Sequence, residues 1–164
     1  MTPAEITAEF YESLRRPNGR QSIRHFYAKI RNLDKSDLSE GLLAVFQERS
    51  FTDHEVGCAI LWCLDVPFSR DLAPYLPGLI ANWDVSVEEM PLYLMNALGK
   101  ETLNATIEKL LESISEDSEE KVKLKTMQWW MSMDESSLRE HRASWLAKLT
   151  GIDRTEFLTT QSQL

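Results

Sequence analysis

Three histidines, two cysteines and several adjacent carboxylates are the side chains of this 164-residue sequence best equipped to bind metal or move protons. His54 and Cys58 stand four residues apart, one turn in a helix, and His25 falls on an adjoining helical row. Such a trio suits zinc, but it lacks a clear fourth ligand, and no zinc-type cysteine spacing occurs. Cys58 and Cys63 lie five residues apart, about 140° around a helix axis, so they cannot bridge each other. They read as free, buried thiols of a reducing compartment. His141, beside Arg139, Glu140 and Arg142, reads as a surface residue. Glu88-Glu89 and Glu119-Glu120 fall at helix starts, where the helix dipole accounts for them. Phosphate-binding loops, nucleophile elbows and metalloprotease motifs are missing. The expectation is therefore a non-enzyme with no catalytic residue, no cofactor and no metal.

The elements that carry these side chains show themselves as a repeat. An apolar stripe at i, i+4, i+7 and i+8 runs through Leu38, Leu42, Val45 and Phe46. It returns at Leu72, Leu76, Leu79 and Ile80, and again at Leu103, Ile107, Leu110 and Leu111. Degraded copies are Ile6, Phe10, Ser13, Leu14 and Leu138, Arg142, Trp145, Leu146. A second series alternates with the first: Ile23, Phe26, Tyr27, Ile30; Val56, Ala59, Ile60, Cys63; Met90, Tyr93, Leu94, Ala97; Val122, Thr126, Trp129, Trp130. Both series keep offsets between 31 and 35 residues.

Boundary signals agree. Thr2-Pro3-Ala4-Glu5 and Thr52-Asp53-His54-Glu55 are capping boxes. Ser36, Ser69, Ser86 and Ser118 are expected N-caps, and Gly99 and Gly151 sit where helices should stop. Pro77 and Pro91 should weaken or kink their helices. The prediction is one all-α domain over residues 1–164, with about nine helices. Helix pairs fall at 1–33, 34–66, 67–99 and 100–133, then a closing helix at 135–149 and a tail at 151–164. Stacking would give each pair the burial it cannot achieve alone.

Leu79-Ile80-Ala81-Asn82-Trp83-Asp84-Val85-Ser86-Val87-Glu88-Glu89-Met90, closing on Asn96-Ala97-Leu98-Gly99, resembles a HEAT-type repeat. Such repeats often carry an Asp between their helices and end the second helix in Ala-Leu-Gly. Leu42 to Leu64 is similar in outline, but Gly57 and Pro91 stand where the family's usual Arg is expected. The resemblance implies a right-handed stack of antiparallel helix pairs, a HEAT-like α-solenoid, whose second helices line the concave side.

Composition limits the partners. The net charge is −8, with 43% hydrophobic and 27% charged residues. Residues 1–35 carry seven basic against four acidic residues, a net of +3; residues 36–164 carry eleven against twenty-two, a net of −11. An acidic body repels nucleic acid and anionic membrane and favours a basic protein, although acidity also serves solubility. No apolar run reaches the roughly 20 residues of a membrane span, and the N-terminus lacks a secretory pattern, so the chain is expected to be a cytoplasmic monomer when free.

By the HEAT resemblance, the second helices would floor a groove with two ladders, His25, Cys58, Leu92, Leu124 and Lys29, Trp62, Asn96, Gln128. A third row holds Gln21, His54, Glu88 and Glu120, and Asp53, Asp84, Glu116, Asp117 and Glu119 would rim one edge. The same helix faces would equally serve as core between neighbouring pairs. The expected partner-binding residues are Asp53, His54, Trp62, Asp84, Glu88, Leu92, Asn96, Glu116, Asp117, Glu120 and Gln128. Of the five tryptophans, Trp62 alone lies off its stripe and is the expected anchor.

In character the chain resembles immunity proteins of the contact-dependent growth inhibition type: small, acidic, helical and without catalytic residues. That likeness implies an inhibitor covering the active site of a basic, nuclease-type toxin domain. The alternative is a HEAT-like adaptor holding a cellular protein. A helical-repeat enzyme acting on DNA is a third class, but Arg15, Arg16, Arg20, Arg24, Lys29 and Arg31 confine the basic charge to the first pair.

Overall fold

The computed structural model describes residues 1–47 and 50–152. Six of the described helices begin where the sequence supplies a side-chain acceptor for an orphan N–H. In α1 (Pro3–Arg15), Thr2 Oγ1 accepts from the Glu5 N–H, and the Thr2 N–H donates to the Glu5 carboxylate at 2.8 Å, completing the expected capping box. After α2 (Gly19–Ile30) come α3 (Lys35–Leu43), capped by Asp34, and a 3-10 turn over Ala44–Gln47. Ser50 caps α4 (Phe51–Cys63), Asp71 caps α5 (Leu72–Asn82), and α6 (Glu89–Leu98) follows. The chain goes on through α7 (Lys100–Leu111), α8 (Glu119–Trp130) capped by Ser118, and α9 (Glu135–Thr150) capped by Asp134. Among the described residues these are nine α-helices with no strand. None is long and apolar enough to cross a membrane. The expected tail beyond Ile152 lies outside the described residues.

Several caps differ from the expected serines. Asp34 and Asp71 cap α3 and α5 in place of Ser36 and Ser69, because a carboxylate both accepts the N–H and meets the positive end of the helix. Ser69 instead accepts a hydrogen bond from the Ser39 hydroxyl at 2.9 Å. Ser86 donates its N–H to Asp84 at 2.9 Å and caps nothing. The second capping box also gives way: α4 starts one residue before Thr52, with Ser50 as its cap. Pro91 is the third residue of α6, where no intrahelical N–H bond exists to be lost, so it breaks nothing; Pro77 lies inside α5. Gly99 and Gly151 end helices at φ of +84° and +79°, as expected of glycine at a stop.

Most stripes are buried as their period implies. Ile6, Phe10, Phe26, Ile30, Leu38, Leu42, Ile60, Leu76, Ile80 and Tyr93 are all less than 2% exposed. The fourth stripe of the second series is the exception. Val122 is 62% exposed and Trp129 64%, so the apolar row on α8 faces outward. The inward face of α8 is Leu124 and Met127, continued by Met131 just after the helix, with the stems of Lys121 and Lys123 beside them. Lys123 fixes this orientation: Nζ donates to the carbonyls of Ile80 and Ala81 at 3.1 and 3.2 Å near the C-terminal end of α5. A buried ammonium at a helix C-terminus satisfies otherwise unpaired carbonyls, and this holds α8 against α5.

Helix α1 packs on α2 and α3, α3 on α4, α4 on α6, α6 on α7, and α7 on α8. The closing helix does not extend this row. It turns back to lie on α2 and α4. Arg24 Nε of α2 donates to the Lys148 carbonyl at 3.0 Å, and Gly151 packs against the same guanidinium.

Candidate functional site

The centre of the molecule is where α9 meets α4 and α6. Trp62 of α4 and Leu92 of α6 lie beneath it, 3% and 0% exposed. Together with Asn96, Leu138 and Arg142 they line a depression of about 330 Å3. Arg142 was expected only as a flaw in an apolar stripe, yet it is the residue that clamps α9 down. Its Nη2 donates to the Trp62 carbonyl at 3.0 Å, and it pairs with Asp65 at 2.7 Å. Asp65 also accepts from Asn96 Nδ2 at 3.2 Å and holds a left-handed φ of +51°. One carboxylate thus ties the end of α4 to both α6 and α9.

A second polar cluster lies along the same seam. Glu89 is 3% exposed, and its Oε1 accepts from Trp145 Nε1 at 2.7 Å. His141 Nε2 lies 3.1 Å from that oxygen and 3.2 Å from Glu88 Oε1. The imidazole stacks on Trp62 with centroids 5.7 Å apart, so His141 is no plain surface residue. Burial raises the Glu88 carboxyl above its ordinary value, while the charge of His141 opposes the rise. Burial, followed by the charge of Glu89, raises Glu55 in the same way. Burial also pushes the Cys63 thiol up to about 12 and raises Cys58 well above its ordinary value, so neither is a thiolate at neutral pH.

The expected partner-binding residues fall in separate places. Trp62, Leu92 and Asn96 come together, with Glu88 further along the seam, but α9 covers the apolar part of that floor. His54 is buried, with Nε2 3.1 Å from the Val45 carbonyl and its ring against Phe46; Asp53, its neighbour in the first turn of α4, is half-buried. Asp84 sits in the turn between α5 and α6. Glu116 and Asp117 are exposed in the turn before α8, and Glu120 is exposed in its first turn. Gln128 donates to Asn104 of α7 at 2.8 Å. Among the described residues, His25, His54 and Cys58 do not converge; the ligand atoms of Glu88, Glu89 and His141 lie within 4.8 Å of one another.

The outward row on α8 is the largest feature that the periodicity misassigned. Val122 and Trp129 share a face with Thr126, and Trp129 meets Trp130 edge-on with centroids 4.6 Å apart. Trp130 Nε1 donates to the Val85 carbonyl at 3.2 Å, which brings the 37% exposed Val85 to the same patch. At the N-terminal end of the helix, about 15 Å from Trp129 at the helical rise, stand the exposed Glu116, Asp117, Glu119 and Glu120. Two competing stripes were present in the sequence, and the inward one, Leu124, Met127 and Met131, keeps a cleaner i, i+3, i+7 spacing. No family model, curated protein or solved structure matches this chain.

Proposed function

We propose that the chain is a protein-binding inhibitor of the immunity type, which neutralises a basic, nuclease-type toxin domain by covering its active site. In this reading its helix pairs stack in the HEAT-like, right-handed manner, it works in the cytoplasm without a catalytic residue, and its contact surface is the outward face of α8. One observation carries the reading: Trp129 is 64% exposed beside a 62% exposed Val122, with acidic residues at one end of the same helix. A large exposed indole in an apolar patch with a charged rim has the composition of an interface hot spot. The net of −11 over residues 36–164 supplies attraction to a basic partner at long range. Because α9 occupies the floor around Trp62, the anchor role passes from Trp62 to Trp129.

The test is titration calorimetry against any basic nuclease domain whose gene adjoins that of this chain. Trp129→Ala is expected to weaken binding by about 2 kcal/mol, roughly thirtyfold, with the fold intact. Asp117→Lys with Glu120→Lys should slow association and reduce its dependence on salt. Unchanged affinity in Trp129→Ala would remove α8 as the contact. A second reading, the adaptor, draws on a pocket of about 230 Å3 between α3, the 3-10 turn and α5, lined by Phe46, Phe68, Tyr75 and Leu79. Such a pocket suits one apolar side chain of a cellular partner, and binding lost on Leu79→Trp but kept in Trp129→Ala would favour it.

A further inference from the structure

We propose that Glu88, Glu89 and His141 form a binding site for one divalent transition cation of the zinc class, seated between α6 and α9. Two of the donors are consecutive carboxylates and the third is an imidazole 52 residues further along the chain. Their ligand atoms all lie within 4.8 Å of one another, with His141 Nε2 at 3.1 and 3.2 Å from the two oxygens. A tetrahedral ion holding nitrogen and oxygen at about 2.0–2.1 Å separates its ligands by about 3.3 Å, so these two edges need only small adjustments. Imidazole with two carboxylates is a donor set that zinc accepts.

The surroundings are those of a built site. The indole N–H of Trp145 holds Glu89 Oε1 at 2.7 Å, and stacking on Trp62 fixes the plane of the imidazole. Groups around a ligand that orient it in this way are what metal sites require. Glu89 is also a carboxylate in the interior, 3% exposed, and such a group needs a compensating charge. Glu55 and Glu88 add further negative charge, opposed by Lys148, whose Nζ lies 4.1 Å over the Trp145 ring. Three protein ligands leave a fourth position for water, and an open depression reaches His141 past Met133, Ser137, Glu140 and Ser144.

The experiment titrates cobalt(II), then zinc, into the chelator-treated full chain. One equivalent of cobalt is expected to give the strong visible absorption of a four- or five-coordinate ion, and zinc should displace it. His141→Ala and Glu89→Gln should each weaken binding at least a hundredfold. Trp145→Phe, which keeps the ring and loses the donor, should weaken it tenfold or more. His25→Ala should change nothing. Circular dichroism checks the fold of each variant; if Glu89→Gln does not fold, the partly exposed His141 carries the test. Absence of a saturable one-to-one cobalt spectrum at a hundred micromolar, or equal affinity in His141→Ala and the parent, would overturn the site.

Discussion

Glu55 lies one helical turn before Cys58, and burial together with the charge of Glu89 lifts its carboxyl above the ordinary value of 4.5. An acid whose pKa rises on folding takes up protons as the chain folds, so its ionised form works against the fold. That penalty is present at neutral pH and fades as pH falls through the raised value toward 4.5. Glu55→Gln is therefore expected to melt above the parent at pH 7, with the gain gone near pH 4; equal melting temperatures at pH 7 would contradict the burial argument. Partners distant in sequence explain why His141 was misjudged as a surface residue. A charged side chain reads as surface until a partner from another helix is known, and His141 finds Glu89 52 residues away.

At the scale of the helix, close approach matters as much as apolar content. Gly41 of α3 lies so near α1 that a Cβ there would meet Ile6 Cβ and the Pro3 carbonyl, both at 2.8 Å. Thr7 Oγ1 donates to the Gly41 carbonyl at 2.7 Å across the same contact. Gly41→Ala should gain at most about 1 kcal/mol of helix propensity. It should lose about 1–3 kcal/mol as α1 and α3 are forced apart. A net loss in urea unfolding is expected; a net gain would show that the helices separate freely. Helix positions themselves were legible, since the apolar stripes repeat every 31 to 35 residues. The orientation of α8 was not. Lysines normally mark the solvent side, yet the buried Lys121 and Lys123 lie inward here, and only the carbonyls of Ile80 and Ala81 reveal why for Lys123.

Across the whole molecule, α9 decides which apolar surface is open. Its own contribution is small, Ala143, Trp145 and Leu149 among the buried residues, and much of its hold is polar. That is why a closing helix could be placed at 135–149 by periodicity while its return onto α2 and α4 could not. A chain ending at Met133 would bare Trp62 and Leu92. Such a truncation is expected to self-associate on gel filtration and to lose a single cooperative melting transition. A monomeric truncation with an unchanged transition would mean that α9 is an appendage.

The bond from Arg24 to the Lys148 carbonyl spans 124 residues of chain. Contacts of that sequence separation close last, because a long loop must be ordered before they form. Since synthesis runs from the N-terminus, α1 to α6 can pair while α9 is still unmade, and the bed around Trp62 waits uncovered in the meantime. A ribosome pausing anywhere between α6 and α9 would thus hold out a nascent chain with an unsealed hydrophobic seam, the kind of surface that chaperones recognise.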